Sequence, residues 1–106
     1  MGYNKSNDNE ITGFTDDEFD IINCGEPEDI VRLANPNKVG HVVNKIENKT
    51  VSDITPLIMI INASGQDWRD MTNALITHGA DPDMEVQYYG ETTTAREIAD
   101  KYRGGL

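Results

Sequence analysis

The sequence predicts an all-α fold, a stack of helix–loop–helix units with extended or hairpin-like connections, on two observations. First, three helix starts stand in phase. Thr15, Thr55 and Thr94 each precede a glycine by ten residues (Gly25, Gly65 and Gly104), the starts are 40 and 39 residues apart, and the fourth residue after each threonine is apolar: Phe19, Met59 and Ile98. A fixed period of this length marks stacked repeats, each burying its face against its neighbours. Second, residues 53–83 (DITPLIMIINASGQDWRDMTNALITHGADPD) hold the longest apolar run and the one tryptophan, and read as helix, tight loop, helix and Gly-ended turn. On this reading residues 1–13 are a flexible tail and 14–106 a single domain, with units near 15–54 and 55–93 and a half unit over 94–106.

Each element follows from local signals. Residues 1–13 are polar and aperiodic, as expected of a tail. Thr15 with Glu18 three residues on is a capping-box signature, and Phe19, Ile21 and Ile22 give that helix its apolar side. Glu26-Pro27-Glu28-Asp29 is a second helix start, with proline at an early position and acids where the helix dipole favours them. Ile30, Val31, Leu33 and Ala34 are then expected to face inward. Residues 35–54 lack helix periodicity; Val39, Val42, Val43 and Ile46 fit either a strand-like finger or an irregular loop.

Thr55 caps the central helix, with Pro56 at the first position, where a missing N–H costs nothing. Leu57–Ala63 form its buried body, Gly65 breaks it, and Asp67 caps a second helix that runs to about His78 and closes on a left-handed Gly79. Residues 80–93 are a second finger with extended-favouring Val86, Tyr88 and Tyr89; adjacent tyrosines on a strand point in opposite directions. Thr94 with Glu97 opens the last helix, whose Ala95, Ile98, Ala99 and Tyr102 follow one i, i+3, i+4, i+7 stripe.

Composition narrows the function. One chain of 106 residues supports one modest core. The net charge of −10 is uneven: −8 over residues 1–30, +3 over 31–50 and −5 over 51–106. Such a balance opposes nucleic-acid binding, which needs clustered Lys and Arg, and favours a basic partner surface or plain solubility. A single cysteine suits a reducing compartment. No apolar run approaches the ~20 residues that span a bilayer, and no leader is seen, so a cytoplasmic protein without membrane attachment is expected.

Sharper chemistry finds little support. Cys24 has no basic neighbour to activate it and reads as a small buried or loop residue. His41, His78 and one cysteine lack zinc-ligand spacing, so no metal is expected, and His78 is assigned to the C-terminal end of its helix. Asp16, Asp17, Glu18 and Asp20 read as a solvated first turn rather than paired catalytic carboxylates. Phosphate-binding glycine loops and a nucleophile–base set are lacking, so neither an enzyme nor a cofactor is expected.

Thr55-Pro56-Leu57, a glycine about ten residues on, an apolar second helix and His78-Gly79-Ala80-Asp81-Pro82-Asp83 resemble an ankyrin repeat; Thr94, Ile98, Ala99 and Gly104 resemble the start of a final one. The resemblance covers residues 55–83 well, 94–104 fairly well and 15–34 weakly. It departs from the family in its longer period and in Ile60 and Ile61, which stand where the family has small residues. It implies a protein-binding module that acts as an adaptor or inhibitor by occupying a partner. Its binding surface would comprise Asp81, Asp83, Glu85, Gln87, Tyr88 and Tyr89 on one finger, Lys38, His41 and Lys45 on the other connection, and Ile58 and Asn62 on the helix.

Trp68 is expected to serve either as an interface anchor or as packing for its loop. The half unit at the C-terminus leaves pairing with a second copy open. The alternative function belongs to another class: an acidic face imitating a nucleic-acid backbone and blocking a basic nucleic-acid-binding enzyme, as phage or mobile-element inhibitors do. Imitation demands spaced acids and steep salt dependence, whereas finger recognition demands apolar and aromatic contacts.

Overall fold

Valine, threonine and isoleucine crowd residues 39–54, and their branched side chains favour extended backbone. In the computed structural model, which describes residues 8–63 and 68–106, this stretch is a β-hairpin. Strands β1 (Asn9–Thr12), β2 (Gly40–Asn44) and β3 (Lys49–Ile54) form an antiparallel sheet in the order β1-β2-β3. Ile11 stands opposite Val42 and Val42 opposite Ser52, while the β2–β3 pairing skips Val51. The hairpin turns through residues 45–48, where Asn44 Oδ1 accepts the Ile46 and Glu47 N–H groups and Asn48 takes a left-handed φ of 54°. Residues 9–12, assigned from sequence to the tail, are thus one of the two edge strands of the sheet.

The three threonines do start helices. Thr15 caps α1 (Asp16–Cys24) in a reciprocal capping box with Glu18, Thr55 caps α2 (Pro56–Asn62), and Thr94 caps α4 (Ala95–Tyr102). Between the last two lies α3 (Trp68–Thr77), which ends in a Schellman motif: Ala80 N–H reaches the Leu75 carbonyl, Gly79 N–H the Ile76 carbonyl, and Gly79 sits at φ 112°. The expected break at Gly65 and cap at Asp67 lie outside the described residues.

Leu57 through Ile61 are all buried, as is Pro56, so α2 is apolar all round and sits at the centre, touching α1, α3 and α4. Ile60 and Ile61 are accommodated there at 2% and 1% exposure. Ile21 and Ile22 of α1, Met71 and Leu75 of α3, Ile98 and Ala99 of α4, and Val42, Ile54 and Val86 of the strands complete one core.

These elements overturn the all-α stack and with it the ankyrin resemblance: the chain is a mixed α/β fold with two antiparallel sheets. The second is the hairpin β4 (Val86–Tyr88) and β5 (Glu91–Thr93). Nor do the units repeat. The helix expected after Gly25 is a 3₁₀ helix, Pro27–Arg32, whose three-residue turn puts Ile30 and Leu33 inward but Val31 and Ala34 outward. The in-phase glycines perform different tasks: Gly25 is extended at φ −79°, whereas Gly104 is left-handed at φ 78°. A capping box marks where a helix begins in any fold, so three boxes in phase carry no information about what fills the intervals.

Two further corrections are local. Tyr102, the last residue of α4, leaves its expected stripe and is 64% exposed. Cys24, expected to be a small buried or loop residue, is exposed and is the last residue of α1.

Candidate functional site

Strand alternation puts Asn9 and Ile11 on one face of β1, and antiparallel pairing continues that face through Val42 of β2. The face looks into a groove of ≈ 500 Å³ bordered by the ends of α1 and α2 and by the β4–β5 turn. Ile11, Val42, Ile54, Met59 and Ala63 supply its apolar surface; Asn9, Asn23, Asn62 and Tyr89 supply its polar atoms. None of these side chains carries a charge, in a chain whose net charge is −10.

The polar atoms are held by neighbours. Asn62 Nδ2 donates to Tyr88 Oη at 2.9 Å, which leaves Asn62 Oδ1 as an acceptor. Asn9 Oδ1 accepts from Asn44 Nδ2 at 3.4 Å. Tyr89 and Gly90, both with positive φ (49° and 88°), form the two-residue link between β4 and β5, the geometry of a type I′ turn. A tyrosine in that conformation is strained by about 1–2 kcal/mol relative to the right-handed region. In this turn conformation the Tyr89 ring lies edge-on to Tyr88, with centroids 4.8 Å apart, and Tyr89 is 53% exposed at the groove. The adjacent rings therefore meet, contrary to the expectation that they point apart, because Tyr89 belongs to the turn and not to the strand. Partial burial, together with the Tyr88 phenol, raises the Tyr89 pKa above its ordinary value, so its hydroxyl stays a neutral donor.

The β4–β5 hairpin is fastened to β3 by side chains. Asp53 Oδ2 accepts Gln87 N–H at 3.0 Å, and Ser52 Oγ accepts Tyr89 N–H at 3.2 Å. Asp53 Oδ1 also faces His41 Nδ1 at 3.2 Å, so one carboxylate joins β2, β3 and β4.

The other sequence-proposed site residues separate. Ile58 is 1% exposed in the core and is unavailable to a partner. Asp83 pairs with Arg96 at 2.8 Å, which holds its carboxyl below the usual range, and Asp81 Oδ1 accepts Asp83 N–H. Gln87 Nε2 donates to Thr92 Oγ1, while Glu85 lies exposed between Met84 and Val86. Lys38 pairs with Glu18 at 2.8 Å, and Lys45 sits in the β2–β3 turn with its N–H on the Asp8 carbonyl. Trp68 is half-buried, with the Arg69 and Arg103 guanidinium carbons 4.8 and 5.1 Å from its ring centroid. His78 donates from Nε2 to the Leu33 carbonyl at 2.8 Å and so serves the end of the 3₁₀ helix rather than its own. Only Asn62 and Tyr89 of the proposed set reach the groove, with Tyr88 beside them.

Sequence reading missed Asn9, Ile11 and Asn23. The alternation in Asn9-Glu10-Ile11-Thr12 was the available signal, but four residues are too few to distinguish a strand from a polar tail. Among the described residues no group of three His, Cys, Asp or Glu side chains is arranged to hold a metal ion, and no helix is long and apolar enough to cross a membrane. Compared with protein-family models, curated proteins and solved structures, the chain matches none of them.

Proposed function

We propose that this chain is a small protein-binding module that acts by occupying a partner, as an adaptor or an inhibitor, and that the uncharged groove receives an extended segment of that partner. The carrying observation is the contrast between the groove and its setting: hydrocarbon, three carboxamides and one strained, solvent-facing tyrosine within a strongly acidic chain. Carboxamides both donate and accept, which suits them to a peptide backbone, and an exposed tyrosine is a frequent binding hot spot. Amides and a phenol offer no nucleophile or general base near neutral pH, so the reading is one of binding without catalysis. A single cysteine suits a reducing compartment such as the cytoplasm.

A panned random 12-residue display library supplies the test peptide, followed on the full chain by amide NMR. Shifts should gather at Asn9, Ile11, Asn62 and Tyr89. Tyr89→Ala should weaken binding by about 2 kcal/mol, roughly 30-fold, with the fold intact. The acidic-mimic reading gives the opposite pattern: shifts gathered on α1, steep loss with salt, and dependence on Asp16, Asp17 and Asp20.

A further inference from the structure

A second concavity, of ≈ 720 Å³, lies between the β4–β5 hairpin and α4. Tyr88 and Tyr102 line it with Ile98, and Glu91, Glu97 and Asp100 supply its carboxylates against one cation, Lys101. Tyr102 is 64% exposed although it continues the apolar side of α4, whereas Ile98 is 3% exposed. The ion pairs among the described residues engage Glu18, Asp29, Asp53 and Asp83, and none engages the three carboxylates of this cavity. Glu97 Oε1 receives the Thr93 and Thr94 hydroxyls, each at 3.4 Å, which leaves Oε2 for another donor.

We propose that this cavity is a docking site for an arginine side chain on a basic segment of a partner protein. Charge complementarity selects the occupant. Three carboxylates without ion-pair partners and two phenol rings in one concavity suit a planar cation that forks to carboxylates and stacks on aromatic faces. A nucleic acid meets like charge here, and a hydrocarbon segment leaves the carboxylates without partners. A guanidinium satisfies both walls, and its alkyl stem covers the exposed Tyr102 ring. The site does not depend on occupation of the groove.

The probe is a nonapeptide alternating glycine and arginine, with a citrulline counterpart of the same shape and no charge, titrated into the full chain and followed by amide NMR. Shifts should concentrate at residues 88, 91 and 97–102, and the citrulline peptide should bind at least about tenfold more weakly. Asp100→Asn and Glu97→Gln should each reduce affinity about fivefold. Tyr102→Leu, which keeps the apolar surface and removes the ring, should reduce it about two- to fivefold. Asp16→Asn with Asp17→Asn should leave affinity unchanged. Equal binding of the citrulline peptide, shifts spread over α1, unaltered affinity in all three cavity variants, or no binding at about 5 mM peptide each overturns the proposal.

Discussion

The two β-hairpins are built on different principles. The first, β2–β3, is paired through its backbone to β1, turns through four residues, and buries Val42 and Ile54 in the core. The second, β4–β5, has three-residue strands and a strained two-residue turn, and is joined to β3 by two side chains, Ser52 and Asp53. A backbone ladder is indifferent to most single substitutions, whereas a side-chain fastening can be lost in one. The first hairpin therefore belongs to the framework by its backbone pairing, while the second, anchored in the core through Val86, is held to β3 by side chains and carries Tyr88 and Tyr89 to the two concavities. Ion pairs at their bases follow the same contrast: Lys38–Glu18 leads into β2 with side chains 34% and 17% exposed, while Arg96–Asp83 beside β4–β5 is 50% and 62% exposed.

The largest effect should come from the framework. Ile54→Ala, at 6% exposure, should cost about 2–5 kcal/mol and lower the stability of the whole chain in urea melts. Loss confined to residues 80–93 by hydrogen exchange would erase the distinction between the hairpins. Next, Asp53→Ala removes the acceptor of Gln87 N–H and should cost about 1–2 kcal/mol. Its signature is local: faster amide exchange in β4–β5 with β1–β2 protection kept. Replacing the strained residue should have the opposite sign, with Tyr89→Gly stabilising the fold by up to about 1 kcal/mol while weakening any groove ligand.

The smallest effect should be the pH dependence of the basal ion pairs. The Lys38 ammonium first, and the Thr15 N–H second, lower the Glu18 pKa from its ordinary 4.5. A lowered folded-state value means stability present above about pH 4.5 and lost as pH falls through the folded pKa. Carboxyl-carbon NMR titration should show Lys38→Gln moving Glu18 back toward 4.5. Asp83, lowered by Arg96 from 3.8, should move back less on addition of about 0.5 M salt than on Arg96→Gln, since its hydrogen bond to Arg96 is the main cause and salt screens only the coulombic part.

Local grammar was legible in the sequence and long-range pairing was not. The Thr15, Thr55 and Thr94 caps, Pro56 and the left-handed Gly79 each depend on residues within five positions, and all are present. The β1–β2 pairing depends on partners 29 to 35 residues apart, such as Thr12 with His41 and Asn9 with Asn44, which no local pattern specifies. The 3₁₀ helix carries the same capping signals as an α-helix, and only the periodicity of its buried side differs. The groove was half visible: Tyr89 and Asn62 stood out as aromatic and polar residues at a finger and a helix end, whereas Asn9 and Asn23 join them only through the fold.

Trp68 gives the molecule an optical reporter. It is the one indole in the chain, and its ring lies against Arg103, whose Nε donates to the Ile61 carbonyl at 2.8 Å just past the end of α4. Its emission therefore senses the seating of the C-terminal helix on α2. A fluorescence melt that precedes the circular-dichroism melt would record α4 lifting away while the central helix and sheet persist, so that two inexpensive spectra resolve the order in which the structure opens.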